Sequence, residues 1–267
     1  MNNAPKSSQR FAGRTAVITG AAGGFGIATA RLIAEGGGRV VAVDRDERVR
    51  ATCEKLAPVE QGAHLPIVSD LRPAEAARAL IDEARRRAGP LDILVNSAGV
   101  CHFNRTATIT AEEWDEVFEI DVRALFFLSV AFADQVEATR GGRIVNLGSN
   151  AGRKGRALSA HYAAAKAAVA NLTESLALSY GPRQITVNTV CPAVVLTPMW
   201  EQNFRELGSL TGKTPEQLIA GWREQTPLRR LGTAEDVANL IAFLASDEAG
   251  FITAQEINVC GGFMLTC

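Results

Sequence analysis

A β-branched run, Thr15–Thr19, leads into the segment Gly20-Ala21-Ala22-Gly23-Gly24-Phe25-Gly26, which opens onto an amphipathic segment, Ile27–Glu35. Glycine permits a tight turn and lets backbone amides approach a pyrophosphate, and a helix N-terminus adds unpaired N–H groups and a positive dipole end. A glycine-rich turn alone is also typical of an ordinary strand–helix connection. Its place after the first strand and before a helix favours a dinucleotide-binding loop made by Gly20, Gly24, Phe25 and Gly26.

The alternation of strand and helix continues along the chain. The other strand candidates are Arg39–Asp44, Leu65–Ser69, Ile93–Asn96, Arg143–Leu147, Ile185–Val190 and Glu256–Val259. Several are apolar without alternation, as expected of strands buried on both faces of a parallel sheet. Helix-start patterns occur at Thr110, Thr214 and Thr233. These patterns predict one α/β domain over residues 13–267, a doubly wound parallel sheet of about seven strands with helices on both faces, after a flexible arm of residues 1–12.

Composition excludes several classes of protein. The 267 residues are 47% hydrophobic, and 28 Lys+Arg against 29 Asp+Glu give a net charge of −1. We therefore expect one sizeable core and no general basic surface for nucleic acid or a membrane. The apolar stretch 124–133 is shorter than the roughly 20 residues that span a bilayer, and the N-terminal residues lack the apolar core of a signal peptide. Five scattered cysteines without a CxxC pattern predict no metal site and a cytoplasmic protein.

Acidic residues at two strand ends bear on the choice of nucleotide. Asp44 closes the second strand about 20 residues after the glycine loop, where a carboxylate can accept hydrogen bonds from ribose hydroxyls and repels a 2′-phosphate, so NAD is favoured. Arg45 could pair with that phosphate, which leaves NADP possible, or it could lie in solvent or over the adenine. Asp70-Leu71 ends the third strand, where an adenine contact is expected, although an isolated acid there could equally cap a loop.

Three side chains form a candidate acid/base site. Tyr162 and Lys166 lie four residues apart in an alanine-rich helical stretch and so share a face, and Ser149 follows the fifth strand at the sheet edge of the glycine loop. An ammonium beside a phenol favours the phenolate, so we expect the pKa of Tyr162 to be lowered. The Ser149 hydroxyl can orient a carbonyl or the corresponding alcohol. A Tyr-x-x-x-Lys pair without this context is commonly an ordinary helix pair.

With these motifs the sequence resembles the short-chain dehydrogenase/reductase family, from about Arg14 to Phe263. The matching stretches are Thr19–Gly26, Asp70-Leu71, Asn96-Ser97-Ala98-Gly99, Ser149, Tyr162–Lys166, Val187-Asn188, Pro192, Thr197-Pro198, Pro227–Ala238 and Phe243–Ser246. The resemblance implies a Rossmann-type fold and hydride transfer between a nicotinamide and a secondary alcohol or ketone. It makes Tyr162 the acid/base, Lys166 the residue that lowers its pKa and holds the nicotinamide ribose, and Ser149 the partner of the substrate hydroxyl.

The resemblance also implies further cofactor contacts and an oligomer. Val195 would bind the carboxamide through its backbone and Thr197 through its side chain. The remaining wall of the cofactor site would come from Asn96, Ala98, Gly99 and Pro192. Members of the family are usually tetramers or dimers, so we expect a homotetramer or homodimer. The apolar tail Phe263-Met264-Leu265 would suit a subunit contact or would pack on its own subunit.

The chain departs from the family pattern at several positions. Asp121 stands where the family has an asparagine that positions a water for relaying protons to the lysine. Asp121 could keep the backbone part of that role, but its carboxylate should stabilise the Lys166 ammonium and make the phenolate harder to form. The other departures are Ser97, Ala193, Ala254 and Cys260. Ala193 would narrow the nicotinamide wall if that position needs a positive φ, and Cys260 would alter the packing of the C-terminus.

Two regions are candidates for choosing the substrate. The loop of residues 197–226 carries Met199 and Trp200 among several apolar residues that could close over a small ligand, and Ala193 precedes it. His102 follows the fourth strand and could bond a substrate hydroxyl, or it could be a solvated loop residue. The cations of Arg153–Arg156 could attract an anionic substrate, or they could form a solvated loop.

These observations leave three functional hypotheses. The first is an NAD-dependent oxidoreductase acting on a secondary alcohol of a small polyol, diol or hydroxy compound, because Ser149–Lys166 and Thr197–Glu201 look most like polyol and diol dehydrogenases. The alternative is an NADPH-dependent ketoreductase of the 3-oxoacyl type or of secondary metabolism. A lesser alternative is a catalytically weak NAD-binding sensor or scaffold, supported by Asp121, Ser97 and Cys260.

Overall fold

A computed structural model describes residues 9–73, 75–137, 139–197 and 199–264, and its centre is a seven-stranded sheet. The strands are β1 (Thr15–Thr19), β2 (Arg39–Asp44), β3 (Leu65–Val68), β4 (Ile93–Asn96), β5 (Gly142–Leu147), β6 (Ile185–Pro192) and β7 (Glu256–Val259). Their order is β3-β2-β1-β4-β5-β6-β7, and every neighbouring pair is parallel. The predicted doubly wound parallel sheet of about seven strands is therefore confirmed. Three strand ends differ from the prediction: β3 stops at Val68, β5 begins at Gly142, and β6 continues through Pro192.

Helices cover both faces of the sheet. They are α1 (Gly24–Glu35), α2 (Val49–Glu54), α3 (Ala76–Ala88), α4 (Ala111–Phe118), α5 (Leu125–Gln135), α6 (Ala160–Tyr180), α7 (Trp200–Thr211), α8 (Pro215–Gln225) and α9 (Ala234–Leu244). Residues of α1, α2 and α9 form one apolar cluster against the sheet. Residues of α3, α5 and α6 form the other, on the opposite face. Burial on both faces explains why the strands read as continuous apolar runs.

Three of the helices begin at the predicted threonines. The side-chain oxygens of Thr110, Thr214 and Thr233 each accept the backbone N–H of the residue three positions later. The side chain of that later residue in turn accepts the backbone N–H of the threonine. These reciprocal bonds satisfy donors that a helix N-terminus otherwise leaves unpaired. The predicted starts of α4, α8 and α9 are confirmed.

The N-terminal boundary of the domain differs from the prediction. Residues 1–8 of the expected arm lie outside the described part of the chain, but Phe11 is buried and belongs to the core. Its backbone N–H donates to the carbonyl of Gly36 at 2.8 Å, at the end of α1. The prediction that the arm extends to residue 12 is wrong, because the apolar ring of Phe11 covers the C-terminal end of that helix.

The topology places a binding crevice where the chain reverses its direction across the sheet. β1 lies between β2 and β4, so the connections on its two sides lead to opposite halves of the sheet. Ligands of such sheets bind outside the carboxyl ends of the strands at this point. Among the described residues, no helix has the length and apolar character needed to cross a membrane.

Candidate active site

A cavity of about 380 Å³ opens at the carboxyl ends of the central strands. It brings together most of the predicted site residues, which are Gly20, Gly24, Phe25, Asp44, Ala98, Gly99, Asp121, Ser149, Tyr162, Lys166, Pro192, Ala193, Val195, Thr197, Met199 and Trp200. An adjoining pocket adds Arg45, Asp70 and Leu71 beside Asp44. Pro198 of the family match lies outside the described residues. The cavity is long, with the glycine loop at one end and α7 at the other.

The glycine loop has the geometry that a pyrophosphate requires. Gly20 and Gly24 have positive φ values of 69° and 34°. A Cβ on Gly20 would lie 2.9 Å from the backbone nitrogen of Ala98, whereas a Cβ on Gly23 would meet nothing within 4 Å. Within the described ranges no side chain caps the N-terminus of α1, so its first N–H groups remain available to a ligand. Gly26 does not line the cavity; a Cβ there would overlap the carbonyl of Gly20, so its role is close packing.

Asp44 ties the glycine loop to the end of β2. Its carboxylate accepts the N–H of Ala22 at 2.9 Å and the N–H of Asp46 at 3.0 Å. Arg45 is exposed beside it, in the adjoining pocket. In the same pocket Asp70 is hydrogen-bonded by Arg72, which holds the pKa of the Asp70 carboxyl below its usual value. The Asp44 carboxylate and the exposed Arg45 guanidinium thus lie next to each other at the end of the cavity beside the glycine loop.

Asn96 is not part of this cavity. Its side-chain amide donates to the Ser129 hydroxyl at 3.0 Å and to the Asn146 side chain at 2.9 Å. All three residues are buried, and Asn96 pairs with Asn146 across β4 and β5. The contact with the cofactor wall that the family resemblance implied is therefore corrected: the Asn96 side chain turns toward α5 and joins neighbouring elements.

Tyr162 and Lys166 lie one turn apart on α6. The Lys166 Nζ lies 5.6 Å from the centre of the Tyr162 ring and donates to the carbonyl of Leu147 at 2.8 Å. Ser149 precedes a short turn, and its hydroxyl accepts the N–H of Ala151 at 3.1 Å. All three side chains line the cavity at the ends of β5 and α6. The phenol, the ammonium and the hydroxyl that the sequence predicted to lie together therefore line the same cavity.

The environment of Tyr162 opposes its ionisation. Burial raises the pKa of Tyr162 well above its usual value, and the neighbouring Cys101 and Asp121 add to this, while a hydrogen bond with Ser149 lowers it. The lowered pKa of Tyr162 expected from the sequence is therefore not produced by these side chains. The physical reason is that the phenol is desolvated and that a carboxylate stands beside the lysine.

Asp121 is a buried partner of Lys166. It lies in a wide helical turn, Glu119–Ala124, that joins α4 to α5. Its Oδ2 lies 3.1 Å from the Lys166 Nζ, and its Oδ1 accepts the N–H of Val100 at 2.8 Å. Burial raises the pKa of Asp121, and the Lys166 ammonium opposes that rise. Gly99 leaves the space for this carboxylate, since a Cβ there would lie 3.0 Å from Oδ1.

The substrate end of the cavity has an aromatic wall. The Trp200 ring packs against Trp222 and Phe204, with centroids 4.9 Å and 5.4 Å apart, and its Nε1 donates to the carbonyl of Val195 at 2.8 Å. Met199, Trp200 and Trp222 line the cavity together with Phe103. The apolar residues of the loop 197–226 therefore form helices α7 and α8 over the site. Such a wall excludes water from the reacting atoms.

His102 does not line the cavity, in contrast to the prediction. Its Nε2 lies 3.1 Å from a Glu116 carboxylate oxygen and its Nδ1 lies 3.5 Å from Glu206. The imidazole thus joins α4 to α7 from outside the cavity, which corrects the proposed contact with substrate. In the basic loop of residues 153–156, Arg153 forms an ion pair with Glu256 at 3.1 Å. Arg156 of the same loop lines the cavity.

The other departures from the family pattern have local effects. Ala193 is absent from the described residues with positive φ, so alanine fits there without backbone strain, whereas Ala254 has a φ of 58°. The Cys260 thiol donates to the carbonyl of Met264 at 3.5 Å, within the C-terminal turn. Phe263 lines the cavity, and Leu265 lies outside the described residues.

Sequence reasoning missed Asn203. This residue of α7 lines the cavity and is 2% exposed, and its Oδ1 has no hydrogen-bond partner among the described residues. Only its position inside the predicted substrate loop could have pointed to it. The part of the chain that the structure describes contains no group of His, Cys, Asp and Glu arranged to hold a metal ion.

Comparison with known proteins places this geometry in a family. A family model described as enoyl-(acyl carrier protein) reductase matches residues 20–264. A protein of Streptomyces virginiae, provisionally named a monensin polyketide synthase ketoacyl reductase, is 38% identical over 93% of this chain and 96% of its own length. A sorbitol dehydrogenase of Cereibacter sphaeroides is 36% identical over 95% of this chain and 98% of its own length.

A solved structure agrees with these relatives. It is a protein of Beutenbergia cavernae, assigned as an NAD(P)-dependent gluconate 5-dehydrogenase, with NADP bound at low occupancy. Its TM-score is 0.85 at 32% sequence identity, with 96% of this chain and 98% of the other covered.

Proposed function

The chain belongs to the short-chain dehydrogenase/reductase family of oxidoreductases that act on CH–OH groups, and we propose that it is an NAD-dependent enzyme that interconverts a secondary alcohol and the ketone of a hydroxy compound. The observation that carries the proposal is one cavity lined by the glycine loop at one end and by Ser149, Tyr162 and Lys166 in the middle. A protein that only binds a nucleotide needs the glycine loop, but it does not need an acid/base group such as Tyr162 beside the bound nucleotide.

The residues would divide the chemistry as follows. A nicotinamide held beside Tyr162 and Lys166 would supply the acceptor for the hydride of the carbinol carbon, or its donor in the reverse direction. The Tyr162 phenolate would take the proton from the substrate hydroxyl during oxidation, and the phenol so formed would return it to the ketone oxygen during reduction. The Ser149 hydroxyl orients that oxygen. Lys166 is held by Leu147 and Asp121, so its ammonium stays beside the phenol ring. The aromatic wall around Trp200 excludes water from the reacting atoms.

The choice of NAD rests on Asp44. Its carboxylate lies between the glycine loop and the adjoining pocket, where it is fixed by the N–H groups of Ala22 and Asp46. A fixed carboxylate can accept bonds from ribose hydroxyls and repels a 2′-phosphate. Titration of the purified protein with NADH and NADPH at one ionic strength tests this. We expect NADH to bind at least tenfold more tightly, about 1.4 kcal/mol.

The aromatic lining of the cavity limits the class of substrate that it can bind. A sorbitol dehydrogenase among the relatives supports a polyol. The wall of Met199, Trp200 and Trp222 favours a hydroxy compound with an apolar flank, because hydroxyls facing these side chains would be left without partners. We therefore propose that the substrate presents one face without hydroxyls to this wall.

A ketoreductase that uses NADPH is the second candidate. It is supported by the exposed guanidinium of Arg45 in the pocket beside Asp44, and by a relative that is named a ketoacyl reductase. Tighter binding of NADPH than of NADH in the titration would make it the first. We also propose a cytoplasmic homotetramer or homodimer, which light scattering on the purified protein tests.

The enzyme assignment is tested by Tyr162→Phe. The change removes the hydroxyl and keeps the ring, so turnover of a panel of secondary alcohols should fall by at least about 100-fold, while NADH still binds. The matched control is Tyr180→Phe, at the end of α6 and away from the cavity, which should keep full turnover. A Tyr162→Phe protein with unchanged turnover would exclude the assignment. NADH binding without turnover of any alcohol or ketone in the wild-type protein would instead favour a sensor or scaffold.

A further inference from the structure

Arg156 brings an uncompensated cation into the substrate end of the cavity. Its terminal nitrogen lies 3.4 Å from the Asn150 side-chain oxygen, a long contact, and its Nε is buried with no hydrogen-bond partner in the part of the chain that the structure describes. No carboxylate of the described residues lies within ion-pair distance of its guanidinium, whereas Arg153 of the same loop is paired with Glu256. A guanidinium that lines a cavity with donors left over is suited to an anionic ligand.

The other charges of the cavity leave this one unbalanced. Lys166 and Asp121 form a buried pair in which the two charges cancel. Asp44 lies at the opposite end, beside the glycine loop. The charged side chains that line the cavity therefore leave a net positive charge at the substrate end, beside the aromatic wall of Trp200 and Trp222. A single positive charge in such surroundings attracts a monoanion in preference to a neutral molecule.

Asn203 is a second polar group in the same cavity. Its side chain is buried on α7 next to Trp200, and its Oδ1 has no partner among the described residues. Buried amides of native proteins are nearly always hydrogen-bonded to protein or to water, so an amide oxygen that faces a cavity and has no partner among the described residues is available to a ligand atom. An amide can donate to or accept from a substrate oxygen.

We propose that the substrate is a hydroxy acid, or the corresponding oxo acid, whose carboxylate is bound by the Arg156 guanidinium and whose second polar group meets the Asn203 amide. The inference rests on the proposed function, because the carbinol of the same molecule has to reach Tyr162. A carboxylate fits better than a phosphate ester, since one guanidinium balances one negative charge. The apolar flank of the acid then lies against Trp200 and Trp222.

The experiment compares hydroxy acids with neutral analogues in which the carboxylate is replaced by a CH₂OH group. The pairs are lactate and propylene glycol, mandelate and phenyl glycol, and gluconate and sorbitol. kcat/KM with NAD is measured for both members of each pair, in the wild-type protein and in Arg156→Gln, Arg156→Lys and Asn203→Leu. Lys154→Gln is the matched control, since Lys154 is an exposed cation of the same loop that does not line the cavity.

In at least one pair we expect the wild-type protein to prefer the acid at least tenfold. Arg156→Gln should remove that preference by lowering kcat/KM for the acid at least tenfold more than that for the neutral analogue. Arg156→Lys should retain part of the preference, Asn203→Leu should lower turnover of the preferred acid, and Lys154→Gln should change nothing. The ratio within a pair is decisive, because Arg156 also lies close enough to Tyr162 to interact with its charge. An effect through the phenol would lower both members equally.

Three results would overturn the inference: no preference for an acid in any pair, an equal loss for acid and analogue in Arg156→Gln, or the same loss in Lys154→Gln. If no member of any pair is oxidised, calorimetric titration of the acids into protein saturated with NADH decides. Binding that Arg156→Gln abolishes would keep the carboxylate site and refute the proposed oxidation of these alcohols. Absence of binding by every acid would refute the site.

Discussion

Replacing Asp121 by asparagine removes one charge beside Lys166 and keeps the size of the side chain. In the wild-type protein the carboxylate lies 3.1 Å from the Lys166 Nζ and accepts the N–H of Val100. It thereby offsets the ammonium that should favour the Tyr162 phenolate. An asparagine has one acceptor oxygen for these two donors. We expect Asp121→Asn to lower the pKa of Tyr162 and to raise activity at neutral pH.

The size of the shift follows from the geometry. The Asp121–Lys166 contact and the Lys166–Tyr162 contact, at 3.1 Å and 5.6 Å, place the carboxylate within about 9 Å of the Tyr162 ring centre. At that distance two unit charges repel by about 2 kcal/mol in an effective dielectric constant of about 20. One pKa unit corresponds to about 1.36 kcal/mol, so the phenol should titrate about one unit lower without the carboxylate. Alcohol oxidation at pH 7 should then be up to about tenfold faster.

The change should also destabilise the fold. Lys166 is 4% exposed, and removing one partner of a buried ion pair costs about 3–5 kcal/mol. The cost should lie below this range, because the asparagine oxygen can still accept one bond and Lys166 keeps its bond to Leu147. Urea unfolding of the two proteins measures the difference.

The assay is the pH dependence of kcat/KM for alcohol oxidation, with its acid limb compared between the wild-type protein and Asp121→Asn. Asp92→Asn is the matched control, because Asp92 is equally buried and pairs with Arg14 and Arg140 at the amino end of β4, away from the cavity. It should lose stability without any shift of the profile. An acid limb at the same pH in Asp121→Asn would refute the reasoning that this carboxylate opposes ionisation of the phenol.

Two further predictions concern stability. Asn203→Leu replaces a buried amide, whose Oδ1 has no partner among the described residues, by an apolar group of similar volume. The free energy of unfolding should rise by about 1–3 kcal/mol, and a lower melting temperature in calorimetry would contradict this. Arg230→Ala removes the guanidinium whose hydrogen bonds lower the pKa of Asp236 to about 2. A lowered carboxyl pKa gives stability that is present above the unfolded value and lost as the pH falls through the folded one. The variant should therefore be less stable than the wild-type protein at neutral pH, and the difference should shrink as the pH falls from about 4 to about 2. NMR titration of the Asp236 carboxyl measures the shift, and an unchanged pKa would contradict it.

The elements that sequence reasoning predicted well depend on local patterns. The strand Thr15–Thr19 and the glycine turn after it form a continuous signal, and the helix starts at Thr110, Thr214 and Thr233 need only four residues each. Strands buried on both faces and amphipathic helices between them permit few topologies. The spacing of Tyr162 and Lys166 likewise depends on the helix alone.

The residues placed wrongly depend on the direction of a side chain in the folded protein. Asn96 ends the predicted strand, but a turn of its side chain toward Ser129 removes it from the cavity. His102 lies near the correct sheet edge, yet Glu116 and Glu206, on α4 and α7, hold its ring outside. Phe11 is one apolar residue in a polar segment, and a single apolar residue carries no periodicity that would distinguish core from arm. In each case the partner is distant in sequence, and no local pattern contains it.

The charges of the cavity relate Asp121 to Arg156, two residues that the sequence analysis treated separately. Asp121 was an isolated departure from a family pattern, and Arg156 was one of three cations in a loop. In the folded protein Asp121 neutralises Lys166, so the positive charge left for the substrate end is that of Arg156. If the substrate is an anion, its binding neutralises Arg156 too, and the phenol then ionises with less help than in the free enzyme. The acid limb of kcat, which reports the bound state, should therefore lie at higher pH than that of kcat/KM for a hydroxy acid and at similar pH for its neutral analogue.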